Sequence, residues 1–387
     1  MEDLYICSPY LSTNEKTGNN RSVLINHLTA RAVALGNNEV ELLHSRHSPH
    51  HISFFLESFG TVVVDRWIQK KLLLPYHTVW EENCATLIEI ETSTVCNWNC
   101  QYCPHTYHKR QRKYQSLELF KEIIRKASEY GHIRYVSLHG YNEPTIDPHF
   151  IDRISIIAAY NLKLALFTNG SGLTKPVLEF LAKSRIVKTI YFNLPSADRN
   201  TFILRTGYHH PERILHHIQS AIDMGFKVII SIQGTKEEQL AEASAIEERF
   251  PLAGITAIPS FDRCGILKNH YYNNVRLDNR FLKGCGFILT DVHVGLEGEM
   301  YLCLEDFYKK NIYANISDGS LKQILQCHDL QILKQKIWGH IPAEKDFICR
   351  KCVIMKGLKY TKLRLKRYTR RATDGGMLIS SKLTVCT

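Results

Sequence analysis

Between residues 84 and 262 short apolar runs alternate with longer amphipathic stretches. Thr86–Glu91, Tyr135–His139, Leu162–Thr168, Lys188–Phe192, Lys227–Ile232 and Gly254–Ile258 are apolar and rich in β-branched and aromatic residues, a pattern that predicts buried strands. Leu117–Tyr130, Phe150–Tyr160, Lys175–Lys183, Pro211–Met224 and Lys236–Phe250 read as the helices between them. In the first helix Leu117, Phe120, Ile124 and Ala127 recur at the three- and four-residue steps of one helical face. Gly131 and Gly225 stand where helices stop, and Pro176 and Pro211 where a first turn tolerates proline. Strand–helix units in series require right-handed crossovers and a parallel sheet. Six strands fall short of the eight of a closed barrel, so the expected class is α/β with a partial (β/α)6 barrel.

The flanks differ. Residues 1–80 read as a small α+β module: Val23-Leu24-Ile25 and Ala32-Val33-Ala34-Leu35 around a turn, helical stretches near Glu39–His44 and Ser53–Phe59, and an extended, β-branched run Thr61-Val62-Val63-Val64. Residues 263–355 are mixed and loop-rich. Residues 356–387 form a tail, and from Lys356 to Arg371 it holds eight basic residues (Lys356, Lys359, Lys362, Arg364, Lys366, Arg367, Arg370 and Arg371) and no acidic one. The tail carries most of the net charge of +11. It is read as a solvated terminal segment, with an acidic peptide or nucleic-acid phosphates as the alternative partners.

Composition narrows the class. With 44% hydrophobic and 22% charged residues the 387-residue chain is neither disordered nor coiled coil. It lacks an apolar run of about 18 residues, so no membrane span is expected. The first twenty residues show no secretory pattern. Twelve Cys in such a chain are expected to be reduced, in the cytoplasm, serving metal binding or catalysis.

The most specific signal is Cys96-Asn97-Trp98-Asn99-Cys100-Gln101-Tyr102-Cys103, just after the first barrel strand. Three thiolates at this spacing can each take one iron of a [4Fe–4S] cluster and leave the fourth iron open. The metal alternative is zinc, with His105 or His108 as fourth ligand. The C-x3-C-x-aromatic-C motif, placed between a strand and a helix, resembles the radical S-adenosylmethionine (SAM) enzyme superfamily over roughly residues 84–262. The resemblance implies that SAM chelates the open iron. One electron then cleaves a C–S bond, and the 5′-deoxyadenosyl radical abstracts hydrogen from a substrate. A flavodoxin- or ferredoxin-type reductant is implied with it.

Further positions follow from the resemblance. Tyr102 would lie beside the adenine. Gly140-Tyr141-Asn142-Glu143-Pro144 is similar to the family's Gly-Gly-Glu-Pro stretch, departing from it at Tyr141 and Asn142, and would hold the SAM amino group. Thr168 and Asn169 match the turn after the third strand. Asn193, Ser196 and Gln233 follow later strands, where polar groups meet the ribose and the methionine carboxylate.

A second thiol set has Cys285, twelve residues, Gly298, four residues, Cys303, and then Cys349-x2-Cys352. It can close a complete second cluster or an all-thiolate zinc site. The arrangement resembles the C-terminal SPASM/twitch extension, in the shorter form with one auxiliary [4Fe–4S] cluster. Cys327 is an alternative ligand or a packing residue. Cys264, after the sixth strand, is a candidate hydrogen-atom donor or thiolate base, or a packing Cys. Cys7 and Cys84 are read as structural, and His209-His210 and His216-His217 as solvated helix-face residues.

The N-terminal module resembles the leader-binding winged-helix domains of peptide maturases, where a precursor peptide adds to a sheet edge. A stabilising cap on the barrel is the alternative. The expected function is therefore a peptide or protein maturase that cross-links, epimerises or oxidises its substrate. The runner-up is a sugar or aminocyclitol dehydrogenase or epimerase of antibiotic biosynthesis, and a third reading is an RNA-binding or RNA-modifying protein using the basic tail.

Overall fold

A computed structural model describes residues 4–17, 21–36, 39–41, 43, 48–260, 262–267, 277–353 and 355. The basic tail and the end of the stretch Glu39–His44 lie outside these residues.

The chain opens with β1 (Leu4–Cys7), β2 (Leu11–Thr17), β3 (Arg21–Asn26), β4 (Arg31–Gly36), β5 (His50–His51) and β6 (Leu73–Pro75). They form two small antiparallel sheets, β5-β1-β6 and β2-β3-β4. Two helices, Ile52–Phe59 and Thr61–Gln69, meet at Gly60, whose φ of 75° turns the chain between them. The run Thr61-Val62-Val63-Val64 is thus helical and not extended. Val64 and Trp67 are buried, while Val62 is exposed. One turn separates the two buried positions, and packing of that face overrides the weak helix propensity of valine.

The central layer follows. β7 (Leu87–Ile90), β8 (Tyr135–Ser137), β9 (Lys163–Thr168), β10 (Val187–Asn193), β11 (Val228–Gly234) and β12 (Gly254–Pro259) pair in parallel in chain order. β13 (Asp291–Val294), β14 (Glu299–Tyr301) and β15 (Ile312–Asn315) continue the same sheet beyond β7. β13 pairs in parallel with β7, and β14 and β15 follow antiparallel. The C-terminal region therefore shares the barrel sheet, whose described order runs from β12 at one edge to β15 at the other.

Helices cover the outer face. The helix Leu117–Tyr130 starts at Ser116, whose side chain accepts from the amide of Leu119, and ends at Gly131 with φ 75°. Such an N-cap stabilises by about 1 kcal/mol. Its Phe120, Ile123, Ile124 and Ala127 are buried in the main core, each large side chain contributing roughly 1.5–3 kcal/mol. Lys126 on this helix donates to the carbonyls of Ile316 (2.6 Å) and Gly319 (2.8 Å), fastening it to the C-terminal region. The helices Phe150–Ala159, Lys175–Ser184, Pro211–Asp223 and Lys236–Arg249 follow the periodicity closely. His217 departs from expectation: it is buried, and its Nδ1 lies 2.7 Å from the Gly170 carbonyl oxygen. Its neighbour His216 is exposed because consecutive helical positions point about 100° apart, and His209 and His210 are exposed too.

The N-terminal module has its own core around Leu24, Phe55, Trp67 and Leu73. It also feeds Ile6, Tyr10, Leu28 and Leu74 into the barrel core. Tyr10 packs edge-on against Trp338 at 5.3 Å, tying the first and last regions together.

Gly172 lies where the loop after β9 presses on the loop after β8, and an added Cβ would sit 2.3 Å from the Thr145 carbonyl oxygen. Gly172→Ala should cost about 1–3 kcal/mol of stability, as overpacking does. Urea unfolding checks this; an unchanged midpoint would show that the loops separate without penalty.

Candidate functional site

Parallel strands bring their C-terminal ends together, and the candidate residues sit there. One cavity of about 420 Å³ opens at this end. Cys96, Cys100, Cys103, Tyr102, Gly140, Tyr141, Asn142, Glu143, Thr168, Asn169, Asn193 and Gln233 all line it, as do Cys264, Cys285, Cys303, Cys349 and Cys352. Ser196 does not: it is buried, and its hydroxyl accepts from the Asp198 amide at 3.0 Å, shaping the start of the next helix. Cys327 also lies elsewhere, its thiol 3.6 Å from the Tyr313 carbonyl oxygen.

The Cys96–Cys103 loop is held from several sides. The amides of Asn99 and Gln101 donate to the carbonyls of Thr206 (2.8 Å) and Arg205 (3.0 Å), at the end of the helix Arg199–Thr206. Trp98 packs edge-on against Phe202 on that helix at 5.1 Å. The periodicity did not reveal this helix, although Asp198 as N-cap and Gly207 as stop, with φ 66°, delimit it. Asn97 bonds Asn169 (2.9 Å) and Ser171, joining the thiol loop to the turn after β9. The Tyr102 hydroxyl accepts from Asn193 at 2.8 Å, joining it to β10.

No disulfide joins the eleven described cysteines. Burial pushes the Cys96 thiol up to about 12, with Glu143 adding to it, and raises Cys100 and Cys103 as well. Three neutral thiols in an apolar wall suit a cationic iron centre, which displaces their protons on binding. Among the described residues no three His, Cys, Asp or Glu side chains converge on a position for a single metal ion. A four-iron cluster instead takes each thiolate on a separate iron.

Glu143 is buried beside the thiols. Its Oε1 accepts from the Thr145 amide (3.0 Å), the Thr145 hydroxyl and the Thr168 hydroxyl (2.6 Å), and its Oε2 from the Asn169 amide (2.6 Å). Burial raises its pKa despite these bonds. Each carboxylate oxygen offers about two lone-pair sites, and Oε2 takes a single donor here, so it retains capacity for one outside donor such as an ammonium group. Gly140 is needed next to this turn because a Cβ there would lie 3.0 Å from Glu91 Cβ and Cγ.

Glu91, at the end of β7, pairs with Arg110 at 2.7 Å and Lys309 at 2.7 Å. Burial alone would raise its pKa, but the two cations hold it below the usual range. Across the cavity Arg263 pairs with Glu305 at 2.8 Å. The Tyr141 hydroxyl donates to the Leu304 carbonyl at 2.7 Å, so the turn after β8 touches the second thiol set directly.

Further inside the cavity lies a group the sequence reading missed. His293 Nδ1 is 2.9 Å from Glu89 Oε2, and His139 Nε2 is 3.6 Å from Glu89 Oε1. Asp291 lines the same space. Burial and then the charge of Glu89 push its carboxyl up to about 7. His139 stacks on Phe167 at 4.4 Å, and Phe167 on Tyr191 at 4.3 Å, making an aromatic wall. The available signal was a charged residue within an apolar strand, Glu89 between Ile88 and Ile90, and the Asp-Val-His-Val alternation at 291–294.

The profile of the radical SAM superfamily matches residues 90–248, which carry the thiol loop and most of the cavity-lining turns. Residues 90–248 carry a radical SAM superfamily domain. A [4Fe–4S] cluster and SAM are the cofactors of this superfamily. The chain is 23% identical over 206 residues to a probable GTP 3′,8-cyclase of Pyrococcus horikoshii, covering 51% of this chain and 65% of the relative. It is 28% identical over 162 residues to the mycofactocin maturase MftC of Mycobacterium tuberculosis, 41% of each chain. It is also 28% identical over 108 residues to an S-adenosyl-L-methionine-dependent 2-deoxy-scyllo-inosamine dehydrogenase of Niallia circulans, 27% of this chain and 43% of the relative. In these radical SAM relatives the matched part is thus less than two thirds of their length. Streptococcus suis SuiB, solved with its precursor peptide SuiA, shares the fold at a TM-score of 0.53 and 16% identity, over 84% of this chain and 89% of that one. No helix among the described residues is long and apolar enough to cross a membrane.

A raised carboxyl pKa in the folded state favours folding at low pH, and the advantage is lost as pH rises. For Asp291 the window runs from its ordinary 3.8 to about 7. Asp291→Asn should therefore raise the unfolding midpoint at pH 8 and leave it unchanged at pH 4. Equal shifts at both pH values would show that Asp291 is not held neutral by its surroundings.

Removing Glu91 as Glu91→Ala leaves Arg110 without its buried counter-charge, while Lys309 keeps Glu299. It should destabilise by about 3–5 kcal/mol, measured by denaturant unfolding; a loss below 1 kcal/mol would mean that water replaces the carboxylate.

Proposed function

We propose that this protein reductively cleaves SAM and uses the resulting radical to abstract hydrogen from a peptide or protein substrate. The carrying observation is the placement of Cys96, Cys100 and Cys103 on one cavity wall with Tyr102, Glu143 and Asn193. Bound there, a [4Fe–4S] cluster supplies the electron for cleavage and an open iron for SAM. The chain's own residues would do the rest. Glu143 would accept from the SAM ammonium through Oε2. Tyr102, fixed by Asn193, would border the adenine. Asn169 and Gln233 would meet the ribose and carboxylate. The buried wall of Phe167 and Tyr191 would exclude water from the radical.

Cys285, Cys303, Cys349 and Cys352 would hold one auxiliary [4Fe–4S] cluster, in the manner of the twitch extension. Burial raises the Cys303 and Cys349 thiols; Glu305, Cys352 and Cys285 add to Cys303, and Cys303, Cys352 and Cys285 to Cys349. A peptide substrate is supported by the maturase relative and by the fold shared with SuiB. The N-terminal module, with its exposed edge strand β4, would take the leader of a precursor peptide by strand addition. A second reading, dehydrogenation of an aminocyclitol, is favoured by the dehydrogenase relative.

The deciding experiment is anaerobic reconstitution of the unmodified chain and of a variant with Cys96, Cys100 and Cys103 all replaced by Ala. The former should carry about eight irons and cleave SAM; the latter should carry about four and cleave none. Persistent reductive cleavage of SAM by the variant would overturn the assignment.

The substrate is tested with a short peptide encoded beside the gene, against an aminocyclitol. Loss of hydrogen from the peptide by mass spectrometry is the expected outcome. The peptide's leader segment, added alone, should bind the full-length protein and inhibit that modification. Turnover of the aminocyclitol in place of the peptide would favour the second reading, and a leader without effect would remove the N-terminal module's role.

A further inference from the structure

Just beyond Cys103 the chain turns cationic. Lys109, Arg110, Arg112 and Lys113 lie between Cys103 and Ser116, with no acidic residue in that interval. Arg110 pairs with the buried Glu91, while Lys109, Arg112 and Lys113 are exposed. The C-terminal region adds Tyr308 and Lys310, both exposed, and the Tyr308 hydroxyl lies 2.9 Å from His108 Nδ1. Lys113 faces the exposed Glu297 at 3.6 Å. Lys109 is held by Asn99 and Arg112 by the Tyr114 hydroxyl, and among the described residues neither they nor Lys310 form an ion pair. Among these charges stand two aromatic rings, Tyr107 and Tyr308, each 52% exposed. None of the six exposed residues of this patch lines the cavity.

The patch is built on the thiol loop. The short helix Pro104–Tyr107 starts at Cys103. The Thr106 hydroxyl donates to the Cys100 carbonyl (2.8 Å), the Tyr107 hydroxyl to the Gln101 carbonyl (3.1 Å), and Lys109 to Asn99 Oδ1 (2.7 Å). A body seated here stays outside the substrate space yet rests on the loop that carries Cys96, Cys100 and Cys103. Aromatic anchors within a charged rim are the make-up of a protein interface. The small extent suits a brief redox encounter, which buries less than about 1,200 Å². The cationic rim selects an acidic partner and speeds its arrival. We propose that this patch is the docking site of an acidic one-electron carrier protein that reduces the cluster held by the thiol loop. One electron leaves the reduced carrier and enters the cluster, and no covalent bond changes. The inference rests on the SAM-cleavage reading above.

The test is binding and turnover by the full-length protein, reconstituted anaerobically, with an acidic flavodoxin and an acidic ferredoxin as probes. A carrier should bind, and more weakly as salt rises. Arg112→Glu with Lys310→Glu should slow association about tenfold or more and flatten its salt dependence, read by biolayer interferometry. Carrier-driven SAM cleavage should fall with it, while dithionite-driven cleavage is unchanged. Lys175→Glu with Lys183→Glu alters net charge equally on the helix Lys175–Ser184 and should leave association unchanged. Equal losses in both double variants, binding indifferent to the reversal at 112 and 310, or no binding of either carrier overturns the docking site. An RNA oligonucleotide held more tightly than the carriers, and released by the same reversal, would overturn it in favour of a nucleic-acid site. Should the reversal at 112 and 310 also lose dithionite-driven cleavage, Lys310→Glu alone, at an exposed side chain, decides by the same binding measurement. Unmodified protein that binds a carrier through this patch but cleaves no SAM with dithionite would overturn the SAM-cleavage reading and leave the docking result standing.

Discussion

Glu91 has almost no contact with solvent, yet it stays ionised because Arg110 pairs with one of its oxygens and Lys309 with the other. Arg110 follows the thiol loop, Lys309 belongs to the C-terminal region, and Gly140 presses its backbone against the same carboxylate. Three segments far apart in the chain are thereby brought to one point at the mouth of the sheet. Desolvation makes each of these charges costly alone, so the segments are held together by what separation would cost. The cavity, its thiols and the turn bearing Glu143 depend on that arrangement.

The same economy recurs around the cavity. Arg263 and Glu305 neutralise each other where the turn after β12 meets the second thiol set. Glu89 is shared between His293 on β13 and His139 just beyond β8. Polar groups are packed in pairs against aromatic faces, which leaves the thiols as the buried donors best matched to an iron centre. Both thiol sets open onto the one cavity.

Much of the barrel was legible from periodicity because its helices carry clear punctuation. Ser116 and Gly131 delimit one helix by capping chemistry alone, and Pro211 opens another. The cysteine spacing was equally readable, since ligand geometry fixes short intervals. What escaped were features set by tertiary contact. The valine run at 62–64 became helical because one of its faces is buried. The helix Arg199–Thr206 is short, and its purpose, receiving the thiol loop, is invisible in its own residues. His217 and Ser196 were assigned roles by position, but their surroundings draw them into hydrogen bonds with nearby backbone. The Glu89, His139, His293 and Asp291 group joins residues whose proximity depends on which strands become neighbours.

That neighbour relation has a temporal side. β7 is flanked by β8, its near successor, and by β13, whose pairing with it spans ~200 residues of chain. During synthesis the first barrel strand emerges early and must wait with one flank bare until the C-terminal region leaves the ribosome. An uncovered flank of this kind is a site for wrong pairing. Maturation of the metal centre beside β7 thus belongs after translation is nearly complete, and a nascent chain halted before residue 291 would be exposed to misassembly.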